Sequence, residues 1–271
     1  MNTTVFRFAS NLRTNSRAPA LSSVEWRDLV RMTTWEKAWE LGLSLPWLML
    51  SLWLYGRGWW WLAAPASFYF FLTGLRQSHN AQHYAMDLPM RIQDGMLFAL
   101  SVAMLASMHA VQVTHLHHHR HCLDTHDVEG ATAKGTWWQS FLAGPLFVVR
   151  LHRAAWKMAN AAKRRWILVE MIAIAGWIAF VAVMSDSAAL NGHVAAMLLG
   201  ECFTGFFAVW TVHHDCGLGF EAGRTQRNRW FNAITYHMFL HREHHLFPAV
   251  PTGHLPQLAA RLDRVHSSFL V

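Results

Sequence analysis

The sequence predicts an all-α integral membrane protein in which four spanning helices form two hairpins beneath a cytoplasmic helical cap. Of the 271 residues, 53% are hydrophobic and only 14% are charged, a composition typical of a protein partly dissolved in lipid. A bilayer core of roughly 30 Å requires about 20 apolar helical residues, and four stretches approach this length. They are 36–55, 58–76, 166–184 and 194–212.

The first hairpin joins 36–55 to 58–76 through the short turn YGRG at 55–58. A polar, arginine-rich segment, residues 1–34, precedes it and shows neither the apolar core nor the cleavage site of a signal peptide. The positive-inside rule places this segment in the cytoplasm. We therefore expect membrane insertion to depend on the later helices.

The apolar run 95–113 is nearly long enough to cross the membrane, but we expect it not to. It lies between the histidine motifs HNAQH (79–83) and HLHHHRH (115–121), with basic residues on both sides. A crossing would separate the two motifs and violate the positive-inside rule. The run is therefore predicted to dip into the membrane or lie along its interface, as is the tryptophan-containing segment 136–152.

The second hairpin joins 166–184 to 194–212 through SDSAALNG (185–192), a turn without Lys or Arg. Positive charge is instead concentrated in the N-terminal segment, in 76–165 and in the C-terminal tail, all of which we expect in the cytoplasm. Neither an internal repeat nor a linker is visible. A single domain over 1–271 is therefore expected.

Composition also argues against some functions. The net charge of +7 would suit nucleic acid, but the basic residues fall between apolar runs rather than on one stripe, so no nucleic-acid binding is expected. The three cysteines form no C-x-x-C pair, which argues against a disulfide framework and a thiolate metal site. Any metal must then be held by nitrogen or oxygen.

Three groups of histidines follow the ends of apolar stretches. The first is an H-x-x-x-H pair, and the other two share the pattern H-x-x-H-H, whose members lie on one side of a helix. The groups are His79 and His83; His115, His118 and His119; and His241, His244 and His245. A solvated histidine-rich loop would not explain why the second pattern recurs at an equivalent topological place.

The doublet His213-His214 leaves the fourth apolar stretch on the same predicted side, so that one of the two can supply a ninth nitrogen. Imidazole suits Fe, Zn, Cu and Ni alike, so ligand type leaves the metal open. The H-E-x-x-H signature of a membrane metalloprotease is absent. Eight or nine neutral nitrogens around two cations suit activation of O2, and attack on an unactivated C–H bond requires a metal.

These motifs resemble the three histidine boxes of the integral-membrane fatty-acid desaturase and hydroxylase superfamily. HREHHLFPAVP (241–251) is the most specific likeness, which extends over about 75–260. The resemblance implies that the eight grouped histidines bind two irons, with His213 or His214 in an extra ligand position. It departs at Asn80, where the family commonly has Asp or Glu, which puts a hydrogen bond to the ligands in doubt.

Several other polar residues are expected near the ligands. Asp124, Asp127 and Glu129 follow the second box, and Asp127 is the favoured partner for the outer N–H of a ligand imidazole. His237 forms an H-x-x-x-H pair with His241. Asn80 and Asn228 are further candidates for this surrounding layer, the latter with a helix cap or a packing surface as its alternative.

The predicted function is that of an O2-dependent di-iron oxidase, a desaturase that introduces a double bond into a long lipid or acyl-carrier chain. The first alternative is a lipid or hydrocarbon hydroxylase or a carotenoid-ketolase-like oxygenase with the same ligands. A membrane haem or metal-transport protein is the non-enzyme alternative. The predicted spans are nearly free of histidine and of polar groups, which counts against the non-enzyme alternative.

No haem-attachment motif, Fe–S cysteine set or dinucleotide fingerprint occurs in the sequence. We therefore expect the chain to bind no haem, flavin or nicotinamide. Electrons are expected from a separate donor of the ferredoxin, rubredoxin or cytochrome type that docks on the basic face. The expected location is a bacterial inner membrane, with both termini and the histidine boxes in the cytoplasm.

Overall fold

The computed structural model describes residues 19–218 and 221–265, so that residues 1–18 of the predicted N-terminal segment lie outside it. Within these ranges the chain is helical and forms no strand, which confirms the all-α prediction. The α-helices are α1 (Thr34–Gly42), α2 (Leu45–Gly56), α3 (Trp60–Gln82), α4 (Met90–Met104), α5 (Met108–His121), α6 (Trp137–Leu142), α7 (Gly144–Met158), α8 (Ala161–Met184), α9 (Ala188–Glu201), α10 (Thr211–His213), α11 (Arg229–Ile234), α12 (His241–Leu246) and α13 (Leu255–Val265). A π-helix (Gly205–Trp210) precedes α10.

Helix α8 is long and apolar enough to cross a membrane, as the stretch 166–184 predicts. Two bent helix pairs also meet the length and hydropathy that a span requires, if each pair is counted as one span. They are α4 with α5, bent by 112°, and α9 with the segment 205–213, bent by 46°. Within the described ranges the chain therefore has one to three candidate spans. The predicted four spans are not confirmed.

The first predicted span, 36–55, is divided into two helices. A capping box of Thr33 and Glu36 starts α1, and α2 begins only after a break at Leu43 and Ser44, with Pro46 in its first turn. The 12 residues of α2 reach about 18 Å, less than a bilayer core. The second predicted span lies in α3, where the apolar sequence ends at Arg76.

The apolar run 95–113 is not a straight helix. Helix α4 ends at Met104 and is followed by Leu105, whose φ of 66° is left-handed. Ser107 caps α5 by accepting a hydrogen bond from the backbone N–H of Ala110. The resulting bend is that of either a broken span or a re-entrant loop. The expectation that this run does not cross the membrane, and its depth there, stay predictions.

A buried polar network fixes this bend against α8. His109 lies between Glu170, with 2.5 Å from Nδ1 to Oε1, and Asp94, with 3.2 Å from Nε2 to Oδ1. Its ring stacks on Trp166, and Ser107 donates a hydrogen bond to Glu170. Because α5 carries the second histidine box, this network sets the direction in which that box points.

The chain on the N-terminal side of α1 packs on α13. Val24 and Leu29 share an apolar cluster with Leu255, Leu258 and Leu262 of that helix. A pair of hydrogen bonds of 2.6 and 2.7 Å from the Arg261 guanidinium to Asp28 joins the same two segments. This packing holds the chain that follows the third histidine box in place.

Candidate metal centre

Nine histidines converge from four parts of the fold: the end of α3, helix α5, the end of α10 and helix α12. They form two neighbouring clusters, and within each cluster the candidate ligand atoms lie within 4.8 Å of one another. The five-histidine cluster consists of His79, His83, His115, His119 and His244, and the four-histidine cluster of His118, His213, His241 and His245. All eight grouped histidines of the sequence analysis are among them.

Within each cluster, the imidazole nitrogens point at one another. In the five-histidine cluster, Nε2 of His119 lies 3.2 Å from Nε2 of His115 and 3.0 Å from Nε2 of His244. In the four-histidine cluster, Nε2 of His213 lies 3.1 Å from Nε2 of His118 and 2.9 Å from Nε2 of His241. Two nitrogens that bind one metal at about 2.1 Å and at right angles are separated by about 3.0 Å. Each cluster therefore has the nitrogen spacing of a metal site.

Unpaired ring nitrogens support the same conclusion. Among the described residues, Nδ1 and Nε2 of His79 and Nε2 of His83 are buried without a hydrogen-bond partner. A buried polar atom without a partner destabilises the fold. A cation bound by these nitrogens would remove that cost, so that the five-histidine cluster fits a metal ion.

The histidines of the third box are held in the form that binds metals. Burial, followed by the neighbouring imidazoles, lowers the pKa of His244 and the pKa of His245 well below the usual value. Both rings are therefore neutral near pH 7, and a neutral imidazole offers a lone pair to a cation.

Outer hydrogen bonds fix the orientation of three of the clustered rings. Nδ1 of His118 donates to Oδ2 of Asp127 over 2.7 Å, and Nδ1 of His115 donates to Oε1 of Glu129 over 2.9 Å. Nδ1 of His213 donates to a backbone carbonyl over 2.6 Å. A proton held on Nδ1 leaves the Nε2 lone pair for the metal. The structure thus places Asp127 where the sequence analysis expects it.

Both carboxylates are ionised, as this role requires. Burial raises the pKa of Asp127, but its hydrogen bond and charge interaction with His118, together with the hydrogen bonds from the backbone of Gly130 and Leu123, outweigh burial, so that the pKa is lowered. For Glu129, burial raises the pKa, but the electrostatic interaction and hydrogen bond with His115 and the interaction with His118 together outweigh it, and the pKa is again lowered. The sequence names Glu129 as a possible partner of a ligand imidazole but favours Asp127 over it. The only sequence signal for Glu129 is its position in the acidic loop that follows the second box.

Replacing Asp127 by Asn should weaken metal binding by about 10–100-fold, the usual effect of losing an outer hydrogen-bond partner. The amide removes the negative charge that faces His118. Competition with a chelator measures the change in affinity. Asp124→Asn is the matched control because Asp124 pairs with the half-exposed His121, outside both clusters. Equal losses in the two variants would contradict the role assigned to Asp127.

The hydrogen bonds of Asn80 go to neighbouring segments rather than to a clustered histidine. Nδ2 of Asn80 donates to Oε2 of Glu40 over 3.0 Å, and its Oδ1 accepts from N–H and Oγ1 of Thr252 at 3.0 and 2.7 Å. Glu40 also pairs with the buried Arg76. Asn80 therefore joins α3 to α1 and to the chain that follows the third box.

Three other candidates lie outside the two clusters. Asn228 caps α11 by accepting hydrogen bonds from the backbone of Trp230 and Phe231, both at 3.0 Å, which is the alternative that the sequence left open. His237 has a φ of 65° and precedes α12, so that the one-face argument for a pair with His241 does not apply. His214 turns away, as described below.

His214 stacks on Trp210 with ring centroids 3.9 Å apart. Its Nδ1 donates to the backbone carbonyl of the same residue over 2.8 Å. Its neighbour His213 belongs to the four-histidine cluster. Of the doublet, therefore, the structure brings only His213 to the candidate metal centre.

An apolar cavity of about 350 Å³ adjoins the clusters. His79, His115 and His241 form part of its wall, and aromatic and aliphatic side chains from α3, α7, the π-helix and α11 form most of the rest. The buried Glu201 accepts a hydrogen bond of 3.2 Å from Thr204, which lines this cavity. The site thus combines nine imidazoles with space for an apolar molecule.

Comparison with known proteins agrees with this geometry. A family model described as fatty acid desaturase matches residues 58–267, a range that contains all nine clustered histidines. No curated protein matches the chain. On the strength of the family match over most of its length, the chain belongs to the fatty acid desaturase family.

Proposed function

We propose that the protein is an O2-dependent membrane oxidase with two irons that introduces a double bond into a long hydrocarbon chain. The family implies an oxidoreductase. The observation that carries the proposal is the pair of histidine clusters, five and four residues strong, on the wall of an apolar cavity. Such a cavity suits a hydrocarbon chain better than a polar substrate.

The five-histidine cluster and the four-histidine cluster would hold one iron each. The iron pair, when bound, supplies the redox chemistry with O2 that amino-acid side chains lack. Asp127 and Glu129 keep the Nδ1 protons on His118 and His115, so that both rings present Nε2 to the metals. The cavity wall positions a methylene pair beside His79, His115 and His241 and limits access of water.

Desaturation has a defined balance of atoms and electrons. Two hydrogens leave adjacent methylenes, and O2 accepts these hydrogens together with two external electrons and two protons, giving two waters. Hydroxylation with the same ligands inserts one oxygen atom and releases one water. In both cases a separate redox protein must supply electrons, and we assign this role to a ferredoxin, rubredoxin or cytochrome that binds the basic face.

The proposed topology has two helical hairpins in a bacterial inner membrane. Helices α2 and α3 form the first, and α8 and α9 with their continuation to His213 form the second. The family is membrane-associated, and α8 is able to span. Both termini and the metal centre would face the cytoplasm, in line with the basic segments that flank the hairpins. The chain would act as one domain over 1–271.

Profiling of lipids and carotenoids in cells with and without the gene tests the reaction. We expect a lipid that has lost two hydrogens only in cells that carry the gene. A product that has gained one oxygen would replace desaturation by hydroxylation or ketolation. Unchanged lipid and carotenoid masses in cells that express the iron-loaded protein would contradict the proposed function.

A further inference from the structure

A second cavity, of about 430 Å³, adjoins the apolar cavity at Phe147, which lines both. Its wall comes from the segment 125–135, which follows the second histidine box, and from α6 and α7. Asp127, Ser140 and Arg150 are among its lining residues. We name it the polar cavity, because its wall offers a charge of each sign and a hydroxyl group.

Ser140 has a buried hydroxyl group without a partner. The residue is 3% exposed, and its Oγ makes no hydrogen bond to any described residue. A buried polar atom without a partner destabilises the fold. Because Ser140 lines the polar cavity, an acceptor atom bound there would remove this cost.

Arg150 brings an unpaired positive charge to the same cavity. Its side chain is exposed and, within the described part of the chain, has neither a hydrogen-bond partner nor an ion-pair partner. Among the described residues that line the cavity, the one carboxylate is Asp127, which already accepts hydrogen bonds of 2.7, 2.8 and 2.8 Å from His118 and from two backbone N–H groups. A free guanidinium and a free hydroxyl on one cavity wall are donors with which proteins bind a phosphate group.

The exposed surface of α6 and α7 indicates where such a phosphate comes from. Along these helices, exposed apolar side chains give way to exposed basic ones. The apolar side chains are Trp137 (58%), Leu142 (70%), Leu146 (49%) and Val149 (62%), and the basic ones are Arg150, Arg153 and Lys157. A surface that changes from apolar to basic is typical of a helix at the membrane interface, where hydrocarbon meets anionic head groups. Arg150 is the first basic residue of this series and the one that lines the polar cavity.

We propose that the polar cavity binds the phosphate group of an anionic membrane phospholipid, with Arg150 paired to the phosphate and the Ser140 hydroxyl donating to one of its oxygens. The chains of this lipid lie against the exposed apolar surface of α6 and α7. The head group then joins these helices to the segment 125–135, whose Asp127 orients His118. This lipid is not the substrate, and its binding does not depend on the proposed function.

Lipid titration of the full-length, metal-loaded protein in detergent tests the site. Phosphatidylglycerol or phosphatidylcholine is added stepwise, and native mass spectrometry counts the lipids that stay bound. We expect one phosphatidylglycerol to bind several-fold more tightly than phosphatidylcholine, because the choline cation meets the basic series of α7. Equal affinity for the two lipids would overturn the proposal.

A matched pair of variants separates the cavity from general attraction to the basic surface. Arg150→Gln should weaken phosphatidylglycerol binding several-fold. Arg153→Gln is the control because Arg153 is exposed on the same helix but does not line the polar cavity. The same loss of affinity in both variants would show that the lipid is held by the surface charge of α7 alone, and the proposal would fail.

Ser140→Ala tests the buried hydroxyl. It should also weaken phosphatidylglycerol binding several-fold, but without lipid the variant should unfold at the temperature of the unsubstituted protein, since Oγ has no hydrogen bond to lose. Unchanged lipid binding together with a lower unfolding temperature would contradict the role of Ser140 as a donor to the lipid.

Chemical modification distinguishes a lipid head group from a soluble anion. Phosphatidylglycerol should slow the reaction of Arg150 with phenylglyoxal several-fold, and mass spectrometry of the digested protein measures this at each arginine. Inorganic phosphate at the same concentration should leave the reaction unchanged. Equal or stronger protection by inorganic phosphate would assign the cavity to a soluble anion and overturn the proposed lipid.

Discussion

Replacement of His244 by Ala is expected to abolish turnover and to lower the iron content of the purified protein. His244 is buried in the five-histidine cluster, with Nε2 3.0 Å from Nε2 of His119. The methyl group of Ala has no atom that can bind a metal. It also leaves a buried void beside the other imidazole rings of the cluster, which then lack a cation. Because losing an outer partner alone costs about 10–100-fold, we expect loss of a ligand to lower activity by more than about 100-fold.

Metal analysis and turnover of the same preparation measure both effects. His126→Ala is the control because His126 is exposed, lies just after the second box and belongs to neither cluster. It should retain both iron and activity. Full iron retention in His244→Ala would exclude the third box from the metal centre, whatever its effect on turnover.

The neighbours His213 and His214 give the second large prediction. His213→Ala should release the iron of the four-histidine cluster, about one of the two ions, and with it the activity, because the reaction needs both. His214→Ala should keep both irons, because His214 hydrogen-bonds and stacks on Trp210. Its loss removes only those contacts.

Iron content and turnover are measured for the two variants side by side, with circular dichroism to verify folding. The pair is informative because the residues are adjacent and chemically identical, so that a general effect of expression or membrane insertion would act on both. A reversed result, with iron lost only from His214→Ala, would contradict the assignment of the ninth ligand.

Helical periodicity predicted part of the arrangement of the histidines. At about 100° per residue, positions i and i+4 lie about 40° apart, whereas i+3 and i+4 lie about 100° apart. His115 and His119 accordingly share one cluster, and His118 turns to the other. The third box divides in the same way, but there the separated member, His244, joins the five-histidine cluster. Which cluster each side meets depends on how α5 packs beside α12, and periodicity carries no information on that.

Other differences from the sequence expectations have local causes. Pro46 shortly after Ser44 is a helix-start signal, which the apolar sequence around it conceals, and it marks the break inside the first predicted span. Asn228 likewise has a side chain that favours the N-cap position, and it takes that position in α11. The π-helix before His213 has no signal in the hydrophobic pattern, because its single-residue change in register is set by packing.

Iron analysis of the purified full-length protein, together with its absorption spectrum, tests the central claim most directly. Nine histidines in two clusters lead us to expect about two irons per chain and no haem Soret band. Removal of iron with a chelator should abolish turnover, and adding iron back should restore it. One tightly bound zinc per chain, or a haem spectrum, would contradict the claim.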